Sequence, residues 1–371
     1  MTGLRIGINA LYLIPGGVGG TEIYLRSLLA ALARADTENR YLVFTNRETG
    51  AGLVPAAPNF EWVPQPLRAS VRPWRLAWEQ TGLPLAAARR GIDVLLNPGF
   101  TAPLLCGCPQ VTVFHDLQHK LHPEHFRWFE LPFWRLCLWA SAHRSRLLIA
   151  VSEATRADLL KCYRLPQEKI RVVPHGVDQR CFEIAAQRSR EAPEPFLLCV
   201  STLHPHKGLV PLIHAFAGFR KTRPEFRLVL AGHRGFHTEA VERAIAESGL
   251  GDAVVLTGWV PREELYELYR RAWAFVFPST FEGFGLPVLE ALAAGVPTAC
   301  SAIEPLQSII GEAALQFQAG DEGALREALE RIVGDEPLRA RLAAAGPARA
   351  SQFSWLRSAE LTLAALREAA G

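Results

Sequence analysis

Short runs rich in β-branched and other apolar residues alternate with longer helical patterns along all 371 residues of the chain. No other feature constrains the fold as strongly. Strands separated by helix-length segments cannot close as tight hairpins, so they align in parallel with helices on both faces of the sheet. In the first half the pattern predicts strands at 4–9, 41–45, 60–63, 93–96, 110–114, 147–151 and 170–173, with helices at 21–35, 74–89, 123–142 and 153–161. The polar, proline-flanked stretch 185–195 breaks the pattern and reads as an inter-domain linker. The cycle restarts with strands at 196–201, 226–231, 253–257, 274–277, 297–300 and 313–317, and helices at 209–220, 237–247, 262–270 and 287–294. The length suits roughly two domains. The expected fold is α/β: two doubly wound domains in series, facing each other across a cleft at the carboxyl ends of their strands.

A formal net charge of +3 is too small to argue for a nucleic-acid partner. High apolar content and moderate charge describe a folded, soluble chain. The seven cysteines are scattered, odd in number and partly embedded in apolar runs such as that around Cys199. Reduced, buried thiols in a cytosolic protein are therefore expected, with no disulfide frame. Cys106-Gly107-Cys108 lacks the two-residue spacer of a redox or zinc pair. The chain opens without a basic-then-apolar leader, and no run approaches the roughly twenty apolar residues of a membrane span. A cytoplasmic location follows as the expectation, with attachment to the cytoplasmic face of the inner membrane left open.

The stretch Pro278–Glu290 carries most of the chemical signal. Gly283 and Gly285 let the backbone approach a ligand closely and take positive φ. Pro287 suits the first helical position, and Gly295 suits the position just past the helix end. The helix start would aim free N–H groups and partial positive charge at a phosphate. Glu282 precedes that helix and Glu290 lies in its first turn or just after, so both can face one polar ligand. A sugar nucleotide, with hydroxyls and a diphosphate, matches this set. The competing reading is a surface loop followed by an exposed helical glutamate.

Lys207, in His204-Pro205-His206-Lys207-Gly208, follows the first strand of the second domain and can reach a phosphate as a point charge. In the first domain, Gly16, Gly17, Gly19 and Gly20 precede a helix and suggest a mobile loop closing over an anion. A dinucleotide fingerprint, and with it a nicotinamide oxidoreductase, fits poorly. The glycines start seven residues past Asn9, and the second strand ends at Thr45-Asn46-Arg47 with no ribose-binding acid. His115 ends a strand on the cleft side, where it can bond a sugar hydroxyl or the acceptor while Asp116 tunes its charge. His119, His122 and His125 follow, but Pro123 and the lack of accompanying ligands argue against zinc. The aromatic segment 126–139 reads as a helix packing into the first domain in preference to an interfacial membrane contact.

With these residues in view, the chain resembles the retaining GT-B glycosyltransferases of family 4, the mannosyl- and glucosyltransferase group. The resemblance runs over nearly the whole length. It includes Gly16–Gly20, Trp78-Glu79-Gln80, Val113–Leu117, Val151-Ser152-Glu153, Pro174–Asp178, His206-Lys207-Gly208, Thr257–Val260 and the paired-glutamate stretch 277–290. Phe353-Ser354-Trp355 and the final helix look like the segment that crosses back onto the first domain. The implied domains are Rossmann-like: 1–184, joined by helix 355–371, on the acceptor side, and 185–354 for the nucleotide sugar.

By that resemblance, Glu282 would bond hydroxyls of the transferred sugar with backbone groups of Gly283, Phe284, Gly285 and Leu286. Glu290 would hold the ribose, Lys207 and His206 would face the diphosphate, and Val260 would lie near the base. Gly16 and Gly17 would close over the diphosphate and acceptor, and His115 would contact the sugar or acceptor side. The implied reaction is retaining transfer of a hexose, first of all mannose from GDP-mannose, to a glycan or lipid-linked glycan in cell-surface polysaccharide synthesis. A UDP-hexose donor and a catalytically silent nucleotide-sugar-binding protein are the alternatives. Neither metal nor cofactor is implied.

Two departures stand out. Many relatives carry an arginine shortly before the lysine, where 202–206 has none. A Pro-Glu pair in relatives of this branch is replaced here by Ile303-Glu304-Pro305-Leu306.

Overall fold

The first seven strands are β1 (Arg5–Ala10), β2 (Arg40–Thr45), β3 (Phe60–Pro64), β4 (Val94–Asn97), β5 (Gln110–Phe114), β6 (Leu147–Ala150) and β7 (Ile170–Val172), in a computed structural model that describes residues 3–17, 19–126, 128–188, 190 and 192–371. They form one parallel sheet in the order β3-β2-β1-β4-β5-β6-β7. β4, β5 and β6 are buried at every residue, as a parallel strand covered on both faces requires. The order places the switch point between β1 and β4, since the chain builds outward in opposite directions from these neighbours.

This first unit runs to Gly176 and regains Ser354–Gly371. Helix Trp355–Ala370 packs on helix Gly20–Ala35. Ser354 caps it, its hydroxyl accepting from the Arg357 N–H at 3.0 Å. The Trp355 ring stacks on His175 with centroids 5.6 Å apart. Gly176 is needed at the join, because a Cβ there would sit 2.0 Å from the Trp355 nitrogen.

The second unit, Val177–Phe353, holds β8 (Glu194–Val200), β9 (Arg227–Ala231), β10 (Val254–Gly258), β11 (Ala272–Phe277), β12 (Thr298–Ser301) and β13 (Leu315–Phe317). They too are parallel, in the order β10-β9-β8-β11-β12-β13, with the switch point between β8 and β11. Helix Leu209–Arg220 covers the sheet with Leu212, Ile213, Phe216 and Phe219, all buried.

Three expectations change. The stretch 185–195 is not a linker, and the expected boundary at 184/185 falls inside helix Gln179–Arg188. Polar composition hides the Cys181 and Ile184 stripe that this helix buries; Ser189 and Glu191 lie outside the described residues. The single helix expected over 123–142 is instead a short helix Gln118–Leu121, a 3-10 turn Pro123–His125 and helix Leu131–Arg144, whose Pro132 sits at a helix start.

That last helix also turns fewer aromatics inward than expected. It buries Leu138, Ala140, Ser141 and Ala142, and leaves Phe133, Leu136 and Trp139 exposed beside exposed Trp128 and Phe129; Arg127 lies outside the described residues. The cysteines also differ from the expected burial: Cys106, Cys108, Cys137 and Cys162 are only half-buried. The Cys106 and Cys108 sulfurs stand 3.5 Å apart.

Overpacking at the join predicts that Gly176→Ala lowers stability by about 1–3 kcal/mol. Gly251→Ala, whose added Cβ meets nothing within 4 Å, is the matched control and keeps its urea midpoint.

Candidate active site

The loops that leave β8 and β11, neighbours at the second switch point, meet on one carbonyl. The His206 oxygen accepts from the Thr280 N–H at 2.7 Å, the Ser279 hydroxyl at 3.0 Å and the Thr280 hydroxyl at 3.2 Å. Gly208 fits beneath Pro278, whose carbonyl oxygen would lie 2.3 Å from any added Cβ. The two loops therefore form one rigid edge, and Lys207 and Glu282 project from it side by side.

Lys207 Nζ donates to Glu282 Oε1 at 2.6 Å, and both side chains are mostly buried, at 16% and 11% exposure. The ammonium also lies 5.6 Å above the centre of the Phe277 ring. Lys207 keeps further N–H donors and Glu282 keeps Oε2, so the pair can take a phosphate oxygen and a hydroxyl at the same time.

Beyond Glu282 the chain enters helix Leu286–Ala293 through Gly285, at φ 110°. The helix starts one residue earlier than expected, which puts Pro287 in its second position. The Gly285 carbonyl already accepts from the N–H groups of Val288 (3.0 Å) and Leu289 (3.2 Å). Among the described residues, the N–H groups of Gly285 and Leu286 make no such bond, and they are the donors left at this helix start. Phe284 meets Phe353 edge-on at 6.1 Å. Leu306, from the departing stretch 303–306, reaches the space where a Gly285 Cβ would lie (2.4 Å), while Glu304 accepts from the Ser308 hydroxyl at 2.7 Å.

Glu290 is buried, and each of its oxygens accepts one bond and keeps further acceptor capacity. Oε1 accepts from Arg262 Nη1 at 2.6 Å and Oε2 from the Tyr269 hydroxyl at 3.1 Å. Burial, reinforced by the Glu290 charge, pushes the Tyr269 phenol well above its ordinary range, so it remains a neutral donor. Arg262 Nη2 donates to the Tyr266 hydroxyl at 3.0 Å, which in turn donates to Asp178 at 2.6 Å. Val260 stands two residues before Arg262, on the loop after β10, where Trp259 stacks against His233 at 6.1 Å. Neither Arg262 nor the two tyrosines was visible as a site residue, because Arg262 and Glu290 are joined only by folding.

His206 acts through its carbonyl. Its ring is buried, stacked 5.8 Å from His204 and edge-on to Phe281 at 6.4 Å.

In the first unit, the Gly16 N–H donates to Glu22 at 2.7 Å and the Gly17 N–H to the Ile14 carbonyl at 2.9 Å, so this turn is tied down; Val18 lies outside the described residues. His115 is buried, with Nε2–H donating to the Pro98 carbonyl at 2.9 Å, which leaves Nδ1 as an acceptor. Burial pulls its pKa down to about 4. Asp116, expected to tune that charge, instead accepts from the Gln118 N–H at 2.9 Å and caps the next turn. His122, Glu124 and His125 place ligand atoms within 4.8 Å of one another, so folding supplies a grouping that Pro123 had argued against.

Two parallel doubly wound units, each with its polar groups gathered at a switch point, define the GT-B class of glycosyltransferases. Residues 182–349 match the family model for glycosyl transferases group 1, and residues 18–180 match the model for Glycosyltransferase Family 4. The chain is 30% identical over 325 residues to the MMP alpha-(1->4)-mannosyltransferase of Mycolicibacterium hassiacum, covering 82% of this chain and 76% of that one. It is 29% identical over 255 residues to the O-antigen chain mannosyltransferase B of Escherichia coli, covering 66% of each. It is also 29% identical to the serotype-specific mannosyltransferase WbdA of the same organism, of which it spans only 32%. The chain thus spans less than two thirds of the length of these two Escherichia coli relatives.

Among solved structures, sucrose-phosphate synthase from Thermosynechococcus elongatus superposes with a TM-score of 0.80 at 23% identity over 98% of both chains. Anabaena HepE in complex with UDP-glucose superposes at 0.75 and 21%, over 98% of this chain and 100% of that one. These two likenesses are of fold. The chain belongs to glycosyltransferase family 4.

Three buried histidines make the first unit acid-sensitive. Burial lowers His115 and His119 to about 4 and His175 well below its ordinary value of 6.5. Unfolding lets each take up a proton, so the stability they allow is complete above about pH 6.5 and is lost as pH falls toward 4. The melting temperature should drop across that window, and His115→Gln, which keeps a donor for Pro98, should flatten part of the drop.

Proposed function

We propose that the protein transfers a hexose with retention from a nucleotide sugar, first of all mannose from GDP-mannose, to a glycan or lipid-linked glycan during cell-surface polysaccharide synthesis. The observation that carries this reading is the Lys207–Glu282 pair beside the open N–H groups of Gly285 and Leu286. Negative charge grows on a departing nucleoside diphosphate, and a fixed ammonium with a helix start can stabilise it without reorganisation. Glu282 Oε2 would accept from a sugar hydroxyl while Oε1 keeps Lys207 aimed at the phosphate. Glu290, held by Arg262 and Tyr269, would take the ribose, with Val260 beside the base. Gly16, Gly17 and His115 are assigned to the acceptor side in the first unit.

As the sugar becomes oxocarbenium-like, the leaving phosphate oxygen can accept the proton of the attacking hydroxyl, so no protein base is obligatory. Lys207 supplies the charge that a metal would otherwise bring, and no cofactor enters the scheme. Mannose is favoured by the names of the mannosyltransferase relatives. The UDP-glucose complex of HepE keeps a UDP-hexose as the second reading.

A lipid-linked acceptor would be met at a membrane surface, and no helix among the described residues is long and apolar enough to cross one. Phe133, Leu136 and Trp139 recur every third residue along helix Leu131–Arg144 and are exposed, with exposed Phe129 just before the helix, which supports peripheral contact. Phe133→Ser with Leu136→Ser should abolish co-sedimentation with anionic vesicles and leave transfer to a water-soluble acceptor intact.

Screening GDP-, UDP- and ADP-sugars for thermal stabilisation tests the donor, since a bound ligand raises the melting temperature by mass action. Lys207→Ala should lower turnover by roughly a hundred- to a thousandfold, and Glu282→Ala should lose most of it, with the fold intact. Full activity in either variant would remove that residue from the scheme.

A further inference from the structure

The first unit contains a cation that the scheme above does not use. Arg75 lies in the first turn of helix Arg72–Arg89 and is 7% exposed. No hydrogen bond or ion pair among the described residues engages its guanidinium. Arg72, one turn earlier, is by contrast paired with Glu130 at 3.2 Å and lies 4.4 Å over the Trp134 ring. Glu79, one turn later, acts on Arg75 through charge but makes no direct ion pair with it. Its Oε1 accepts from Asn9 Nδ2 at 2.9 Å, and both its oxygens accept from the Thr101 hydroxyl, at 2.8 and 3.0 Å.

These partners locate Arg75. Asn9 is in β1 and Thr101 just follows β4, so Glu79 stitches the helix to the first switch point. Gln80 adds two more stitches, donating to the Ala102 carbonyl at 3.1 Å and accepting from the Leu104 N–H at 2.8 Å. The helix follows β3, so its first turn stands at the carboxyl edge of the sheet, where doubly wound folds collect their ligands. Glu79, Arg72, Cys137 and Tyr12 are the groups that act electrostatically on the guanidinium, and burial pulls its pKa below the ordinary value.

We propose that Arg75 is an oxyanion-binding residue of the first unit and takes a phosphate group carried by the acceptor. Glu79 acts on this buried cation through its charge, but its oxygens bond other donors and no acceptor among the described residues fills the guanidinium fork. A phosphate completes it, because the planar guanidinium fork presents paired donors that match two phosphate oxygens. This gives Trp78-Glu79-Gln80 a role, since Glu79 and Gln80 hold the helix against the edge and fix the fork before the ligand arrives. That the phosphate comes from an acceptor rests on the glycosyl-transfer reading; the anion site does not.

The test is calorimetry on the full chain with Lys207→Ala, which silences the phosphate site of the second unit. The probes are octyl diphosphate, standing for a lipid-linked source, mannose 6-phosphate for a sugar phosphate, and octyl mannoside as the neutral control. Arg75→Gln should weaken one of the two phosphate probes by roughly ten- to a hundredfold, and the probe affected names the source. Octyl mannoside should be unaffected. Arg75→Lys, which keeps the charge but not the fork, should fall between. The ligand-free melting temperature of Arg75→Gln should be no lower than that of its parent, whereas a structural role would lower it.

In transfer assays on the otherwise wild-type chain, Arg75→Gln should raise KM for a phosphate-bearing acceptor while leaving donor KM unchanged. Equal binding of both phosphate probes by parent and Arg75→Gln overturns the proposal, as does a large loss of stability that Arg75→Lys repairs. Failure of the wild type to transfer any sugar would sink the functional reading and leave calorimetry to decide on Arg75.

Discussion

One carbonyl oxygen, that of His206, holds the candidate site together. Three donors from Ser279 and Thr280 converge on it, and Ser279 is fully buried. Loops are ordinarily the most variable part of a fold. Here two of them are fastened by backbone groups, so Lys207 and Glu282 need no search to find one another. The ion pair is a consequence of that fastening, and the fastening follows from β8 and β11 being neighbours.

The two units reach the same topology and settle their polar edges differently. In the second, charge meets charge: Lys207 with Glu282, and Arg262 with Glu290. In the first, the buried carboxylate of Glu79 bonds neutral donors and acts on Arg75 through its charge without a hydrogen bond to it. Glu79 supplies charge without filling the guanidinium's donors, and the proposed anion site rests on those donors. His115, lying on the same sheet, is neutral because of burial and not because of Asp116.

Misread segments share a cause. The stretch 185–195 is polar and flanked by prolines, yet its first residues finish a helix whose Cys181 and Ile184 are covered by tertiary packing. The aromatic stretch 126–139 has the composition of a core helix, but Leu138 and the small residues Ala140, Ser141 and Ala142 are the ones the helix buries. Composition reports how apolar a segment is. It does not report which side of it meets the sheet.

Local periodicity was enough to place the strands, because a parallel strand buried on both faces must be apolar along its length; Gln110–Phe114 and helix Leu209–Arg220 were legible to the residue. The strand end, glycine turn and helix start that carry Glu282 and Glu290, and the turn that carries Lys207, were likewise legible, since each is a short-range pattern. Strand order was not, and with it went every contact between distant segments: Lys207 with Glu282, Arg262 and Tyr269 with Glu290, Asn9 and Thr101 with Glu79. Those pairs are set by which crossover lands beside which strand. That choice is made by the packing of whole helices on whole sheets, and no window of neighbouring residues contains it.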